Sequence, residues 1–136
     1  MRNYTIVNSI GSGSFGHVYK GVHKFKLTEL VAIKRESVMS NFLLLRQEAK
    51  IYQYLSNTPG SAELKWFGRD NGYYYLVTEL LGVSLSNYNP LMKKNNITPS
   101  INLIGCKLLN LIENLHNHLI IHRDVKPDNF LFERID

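Results

Sequence analysis

Hydrophobic and polar positions along this chain change their period three times before periodicity is lost near residue 120. From residue 4 to 10 the text YTIVNSI alternates, placing Tyr4, Ile6, Asn8 and Ile10 on one face of a strand. Glycines at 11, 13 and 16 follow, then a second β-prone run over residues 17–22, which together predict a hairpin with a glycine-rich connection. Leu30-Val31-Ala32-Ile33-Lys34 predicts a short apolar strand ending in a charge. From about Asn41 the period lengthens: Phe42, Leu45, Ala49, Tyr52 and Leu55 fall three or four apart, as on an amphipathic helix. Asn57-Thr58-Pro59-Gly60 stops it. Two more strands, near residues 64–67 and 73–79, flank Asp70-Asn71-Gly72, a hairpin turn signal.

The second half reads as helical. Residues 82–88 predict a linker and a short helix start, and Thr98-Pro99 reads as an N-cap followed by proline at the first helical position. Ile101, Ile104, Leu108, Leu111 or Ile112, Leu115 and Leu119 form a long stripe that is read as core. Residues 120–131 lose helical periodicity and are dense in ionisable groups. The pattern therefore predicts an α+β chain: a five-stranded antiparallel sheet with one inserted helix over residues 1–80, then a helical part over 81–136.

Composition sharpens this picture modestly. With 136 residues, 44% hydrophobic and 20% charged, the chain can bury a core and does not resemble disordered or repetitive sequence. It holds no run of eighteen apolar residues, and MRNYTIVNSIG lacks the apolar stretch of a secretory signal, so neither membrane nor export is expected. A single cysteine, Cys106, cannot form an internal disulfide and is read as packing within the apolar helix. The setting expected is intracellular, cytoplasmic or nuclear. The net charge of +5 is spread over scattered Lys and Arg, with only Lys34-Arg35 and Lys93-Lys94 adjacent, so no nucleic-acid partner is expected.

Three motifs carry chemistry. Gly11-Ser12-Gly13-Ser14-Phe15-Gly16-His17-Val18 fits G-x-G-x-x-G-x-V, in which backbone N–H groups can approach phosphates closely. A dinucleotide-binding turn would need a helix after the glycines, and here a strand follows, which favours a flap over nucleotide phosphates. An ordinary glycine-rich hairpin is the remaining alternative. Next, Lys34 ends an apolar strand, and Glu48 falls on the inward side of the helix beside Ala49 and Tyr52. A Lys–Glu pair there would hold an ammonium against α- and β-phosphates.

The third motif is the most specific. His122-Arg123-Asp124-Val125-Lys126-Pro127-Asp128-Asn129 fits H-R-D-x-x-x-x-N with Lys126 and Pro127 added. Specified positions at roughly 5% usage each give on the order of 10⁻⁸ per window by chance. Asp124 is the expected base for a substrate hydroxyl, Asn129 the expected Mg²⁺ ligand through its carbonyl oxygen, and Lys126 the expected charge partner of the transferring phosphoryl group. His122 is expected to pack and bond backbone, and Arg123 to brace the loop. His118 and His122 have no evident third ligand, so a zinc site is not expected.

In their order these motifs resemble eukaryotic-type protein kinases. The finer text resembles the casein kinase I family: IGSGSFG at 10–16, EAKIY at 48–52, ELLG at 79–82 and HRDVKPDNFL at 122–131. The similarity runs along nearly the whole chain and covers the N-terminal half of that domain, to just after the catalytic loop. It implies a nucleotide-binding lobe over 1–80 and a partial helical lobe over 81–136, with ATP and Mg²⁺ as cofactors. It also implies that Ile10 heads the glycine loop, that Thr78 is the gatekeeper, and that the backbone at Glu79 and Leu81 binds adenine. Val18, Ala32 and Leu131 would sandwich the ring.

By the same resemblance the reaction is transfer of the ATP γ-phosphoryl group to protein Ser or Thr, often near acidic or already phosphorylated residues. Val83, Ser86 and Asn87 stand where the family usually has a proline and an acidic pair that contacts ribose. The family's D-F-G segment is not within the 136 residues, and Asp136, seven residues past Asn129, stands too close to serve as its aspartate. With Asn129 alone as a metal ligand, the 136 residues by themselves are expected to be inactive. Two functions are therefore carried forward. One is a Ser/Thr kinase; the other is a non-catalytic kinase fragment that binds nucleotide, or a partner protein covering an incomplete helical lobe.

Overall fold

Six elements precede residue 80 in a computed structural model that describes residues 1, 3–13, 16–41, 43–88 and 101–134. The chain divides into two units, Met1–Leu80 and Leu81–Asp136. In the first, strands β1 (Tyr4–Gly13), β2 (Gly16–His23), β3 (Lys26–Ser37), β4 (Leu64–Asp70) and β5 (Tyr73–Glu79) form one sheet, ordered β1-β2-β3-β5-β4. Every neighbouring pair is antiparallel, and α1 (Leu44–Tyr54) lies between β3 and β4 in sequence. The five-stranded antiparallel sheet with an inserted helix is thus observed.

β3 sits at the centre, and its period of two sends alternate side chains to opposite faces. Val31 and Ile33 are buried on one face with Tyr4, Tyr75 and Val77, and Ile6, Tyr19 and Trp66 pack around them. On the other face Leu76 joins Leu45 and Ala49 of α1, with Tyr52, Leu64, Phe67 and Tyr74 around that cluster. The helix periodicity read from the sequence is therefore the docking face of α1. Asn57 at φ 65° and Gly60 at φ 85° turn the chain away after it. In the β4–β5 turn, Asn71 (φ 44°) and Gly72 (φ 79°) both take left-handed backbone, as a type I′ hairpin requires.

Several expectations are corrected here. β3 is twelve residues long rather than five, because β2 and β5 pair with it beyond its apolar stretch, across polar ends that carry no alternation. The alternation expected through Ile10 stops at Ile6: register shifts between Ile6 and Asn8 and between Ser9 and Gly11 rotate the strand, leaving Asn8 and Ile10 exposed. Ser14, Phe15, Phe42, Thr98-Pro99 and Asp136 lie outside the described residues.

The second unit contains α2 (Ile101–Asn117) and an irregular segment zipped to residues 82–88. Gly82 N–H donates to Phe132 O (2.8 Å), Phe132 N–H to Val83 O (3.0 Å) and Leu85 N–H to Phe130 O (2.7 Å). Ser84 pairs with Leu131 in an isolated antiparallel bridge, and short 3₁₀ turns at Leu85–Asn87 and Pro127–Asn129 flank it. The helix start expected in 82–88 is that single turn.

The α2 stripe is not core. Ile104, Leu108, Leu111, Ile112 and Leu115 are half-buried, and no described residue of this unit is buried. Leu119 leaves the stripe altogether. It follows the helix at φ 59°, 91% exposed, as the left-handed residue of a C-terminal cap in which Leu119 N–H reaches His116 O and Ile120 N–H reaches Leu115 O. Cys106 is exposed rather than packed, because it stands about 200° around the helix from Ile104.

Gly21 faces Val31 in the register, and the Ile33 side chain crosses over it. A β-carbon there would lie 2.3 Å from Ile33 Cδ1 and 2.9 Å from the backbone oxygen of Thr5. Gly21→Ala should lower stability by ~1–3 kcal/mol in thermal or denaturant unfolding. Gly11→Ala, whose nearest neighbour is 4.0 Å away, should leave the midpoint almost unchanged. Equal effects of the two substitutions would refute this packing.

Candidate active site

The residues singled out by sequence fall into two groups, one in each unit. In the first unit the sheet register aligns them: Gly11 pairs with Val18, Val18 with Lys34, and Lys34 with Leu76. The glycine hairpin is thereby held beside the lysine by three strands. Ser12 pairs with His17, and Gly13 with Gly16, so the hairpin stays paired to its tip. Ile10, Gly11 and His17 are exposed, and Val18 is half-buried. Ala32 is half-buried between Lys20 and Thr78 in neighbouring strands.

Lys34 shares its face of β3 with Ala32 and Glu36, the face toward α1. Its Nζ lies 2.6 Å from Glu48 Oε2, with side chains 22% and 32% exposed. An ion pair this accessible adds little stability, and its consequence is geometric: it fixes an ammonium at the end of the apolar part of β3. Next to it, Tyr52 is pushed up to about 12, first by burial and then by the Glu48 carboxylate. At the end of β5, Glu79 and Glu63 bond reciprocally: Glu79 N–H donates to Glu63 O (3.0 Å), and Glu63 N–H to the Glu79 carboxylate (2.8 Å).

In the second unit, Asp124, Lys126 and Asn129 converge on one carboxylate oxygen. Lys126 Nζ lies 2.8 Å from Asp124 Oδ2, and Asn129 Nδ2 donates to the same atom (2.9 Å) and to the Asp124 backbone oxygen (2.7 Å). Both amide hydrogens of Asn129 are thus used, which fixes the orientation of the amide and leaves Oδ1 as a free acceptor. The Lys126 hydrogen bond, then that of Asn129, holds the Asp124 carboxyl below the usual carboxylate range, and Asp124 in turn raises Lys126. Asp124 is therefore ionised at neutral pH.

Local backbone makes this convergence possible. Arg123 adopts φ 67°, which turns the chain so that Asp124 faces back toward Asn129, and Pro127 opens the 3₁₀ turn that carries Asn129. His122 accepts a hydrogen bond from Asp124 N–H at Nδ1 (3.3 Å) and stacks on Phe130, as expected. Arg123 does not brace the loop through its side chain: the guanidinium is exposed and forms no bond among the described residues. Its contribution is the left-handed backbone. Leu131 is exposed beside this turn, and Leu81 is half-buried at the start of the unit.

Sequence reasoning missed two residues that hold these groups. Ser86 donates to Asp128 Oδ1 (2.9 Å), tying the turn after the sheet to the loop of Asp124. The only signal was its departure from an acidic family position. Glu36 accepts from the N–H groups of Leu44 and Leu45 at the start of α1, and no sequence rule pointed to it.

Each unit thus holds one charged arrangement: an ammonium fixed beside a glycine hairpin in the first, and an ionised aspartate held by lysine and asparagine in the second. The family is shown by comparison: the protein kinase domain matches residues 4–136, and the chain belongs to that family. Kinases of this family are phosphotransferases, and such domains generally use ATP and Mg²⁺. Asn129 Oδ1 suits a hard cation, which takes oxygen donors. Among the described residues no three His, Cys, Asp or Glu side chains are grouped to hold a metal. No helix among the described residues is long and apolar enough to cross a membrane.

These shifts give a direct test. The Asp124 side-chain carbon should titrate below ordinary carboxylates in an NMR pH series, and Lys126→Met should move it upward. Because the folded value is depressed, the stability linked to Asp124 is present above the ordinary carboxylate value and lost as pH falls through the lowered one. Tyr52 has the opposite sign. Raised from 10.0 to about 12, it contributes stability that is lost as pH climbs through that interval, and Glu48→Gln should bring its absorbance titration down. Asp124 titrating at or above the ordinary value would contradict the convergence on its Oδ2.

Proposed function

We propose that the chain is a Ser/Thr protein kinase of casein kinase I type, which transfers the ATP γ-phosphoryl group to protein hydroxyls near acidic or already phosphorylated residues. The observation that carries this reading is the single oxygen of Asp124 held by Lys126 and Asn129. The motif text at 10–16, 48–52 and 122–131 supports the family subdivision.

In this reading the glycine-rich segment from Ile10 through Val18 covers the phosphates with backbone N–H groups. By the family resemblance, Val18, Ala32 and Leu131 are the adenine-contacting side chains, and Glu79 and Leu81 are the backbone contacts to its edge. Lys34, steered by Glu48, reaches the α- and β-phosphates. Asp124 orients the acceptor hydroxyl and takes its proton as the oxygen–phosphorus bond forms and the bond to the ADP oxygen breaks. Lys126, released from Asp124, balances the charge on the transferring group. Mg²⁺, bound in part by Asn129 Oδ1, would supply neutralisation of the phosphate oxygens.

One observation favours a second reading for these 136 residues taken alone. Among the described residues Asn129 is the single assigned metal donor, which favours a non-catalytic kinase fragment that binds nucleotide or a partner protein. The two readings separate experimentally. In both, ATP raises the melting temperature and Lys34→Ala abolishes the rise. Transfer of labelled γ-phosphate to casein Ser or Thr, lost by at least ~100-fold in Asp124→Asn, identifies the catalyst. Binding without transfer identifies the nucleotide-binding fragment. Label appearing only on tyrosine would overturn the Ser/Thr assignment, and no thermal shift at millimolar ATP would overturn both readings.

A further inference from the structure

Helix α1 has no cap of its own. Leu43 stands at its N-cap without a side-chain hydrogen bond, and its first turn contains no acidic residue. Such an end leaves N–H groups unsatisfied and a positive dipole end uncompensated. The missing acceptor comes from another element. Glu36 of β3 receives Leu44 N–H at Oε1 (3.3 Å) and Leu45 N–H at Oε2 (3.1 Å), one carboxylate oxygen for each donor.

The placement of that carboxylate links it to the lysine. Glu36 lies two residues beyond Lys34, so both side chains leave β3 on the same face. Lys34 holds Glu48, about one turn along α1 from Leu44 and Leu45. β3 therefore grips the helix at two points, its N-terminus and Glu48, with Leu45 buried between them and Ala49 just beyond, both against Leu76. Registering the first turn of α1 on β3 registers Glu48 on Lys34.

We propose that Glu36 is a positioning residue that sets the Lys34–Glu48 pair by capping α1 from β3. It touches neither nucleotide nor substrate and acts through the helix. Its consequence for nucleotide affinity rests on the ATP-binding reading above, whereas its consequence for the ion pair does not.

The test uses the full chain and two readouts. In the first, acetic anhydride labelling of Lys34 is normalised to that of Lys26, with hydrogen exchange followed at Leu44 and Leu45. Glu36→Ala should speed exchange at both amides about fivefold, the size of one lost cap. It should also raise Lys34 labelling toward the level seen in Glu48→Gln, while Glu36→Gln, which keeps one acceptor oxygen, should fall between. In the second readout, Glu36→Ala should weaken ATP binding several-fold in the native background and by less than about twofold when Glu48 is already Gln. Lys34 labelling unchanged by Glu36→Ala overturns the proposal, as does an equal loss of ATP affinity in both backgrounds. If the native chain binds no ATP, the functional reading fails and the labelling comparison alone decides the role of Glu36.

Discussion

The placement of one ammonium group depends on almost everything in the first unit. Lys34 is held 2.6 Å from Glu48 across two elements that meet only because β3 alternates. Its odd-numbered neighbours, Val31 and Ile33, are fully buried on one face, and that burial leaves Lys34 and Glu36 no choice but the face under α1. A slip of one residue would send the lysine into the Tyr4–Tyr75–Val77 cluster, where an unpaired charge would be costly. The apolar core thus specifies the position of the polar group, although the ion pair itself returns little stability.

The second unit solves its problem differently. With no described side chain buried there, hydrogen bonds carry the placement of Asp124. The backbone zipper between residues 82–85 and 130–132 supports the loop from one side, and the Ser86–Asp128 bond adds a side-chain tie. Gly82 belongs to that zipper: a β-carbon there would come within 3.1 Å of Phe132 O and 3.2 Å of Glu133 O. Asn129 then closes the loop on Asp124 through two donors, which directs its remaining oxygen outward. A residue chosen in sequence as a metal ligand thus has a second, observable occupation as the clasp of the loop.

Much was legible where local physics and tertiary packing agree. The periodicity of Leu45, Ala49 and Tyr52 became the docking face of α1, and Asp70-Asn71-Gly72 became the tight turn between β4 and β5. The reading erred where a local pattern continued past a structural event. Bulges ended the alternation after Ile6, a left-handed cap took Leu119 out of its stripe, and Cys106 proved to lie away from the half-buried stripe of α2. Each error treated a period as unbroken, and neither the bulge after Ile6 nor the turn at Leu119 carries a glycine or proline to announce it.

The sequence by itself determined the element types of the first eighty residues, the Lys34–Glu48 pairing and the membership of Asp124, Lys126 and Asn129 in one loop, because period and motif spacing are local properties of the chain. Only the tertiary structure decided which further residues hold those groups in place. Glu36 caps a helix that begins eight residues later, and Ser86 reaches an aspartate 42 residues away. Such bonds answer unsatisfied donors and acceptors wherever folding happens to bring them together, and no spacing along the chain encodes that meeting.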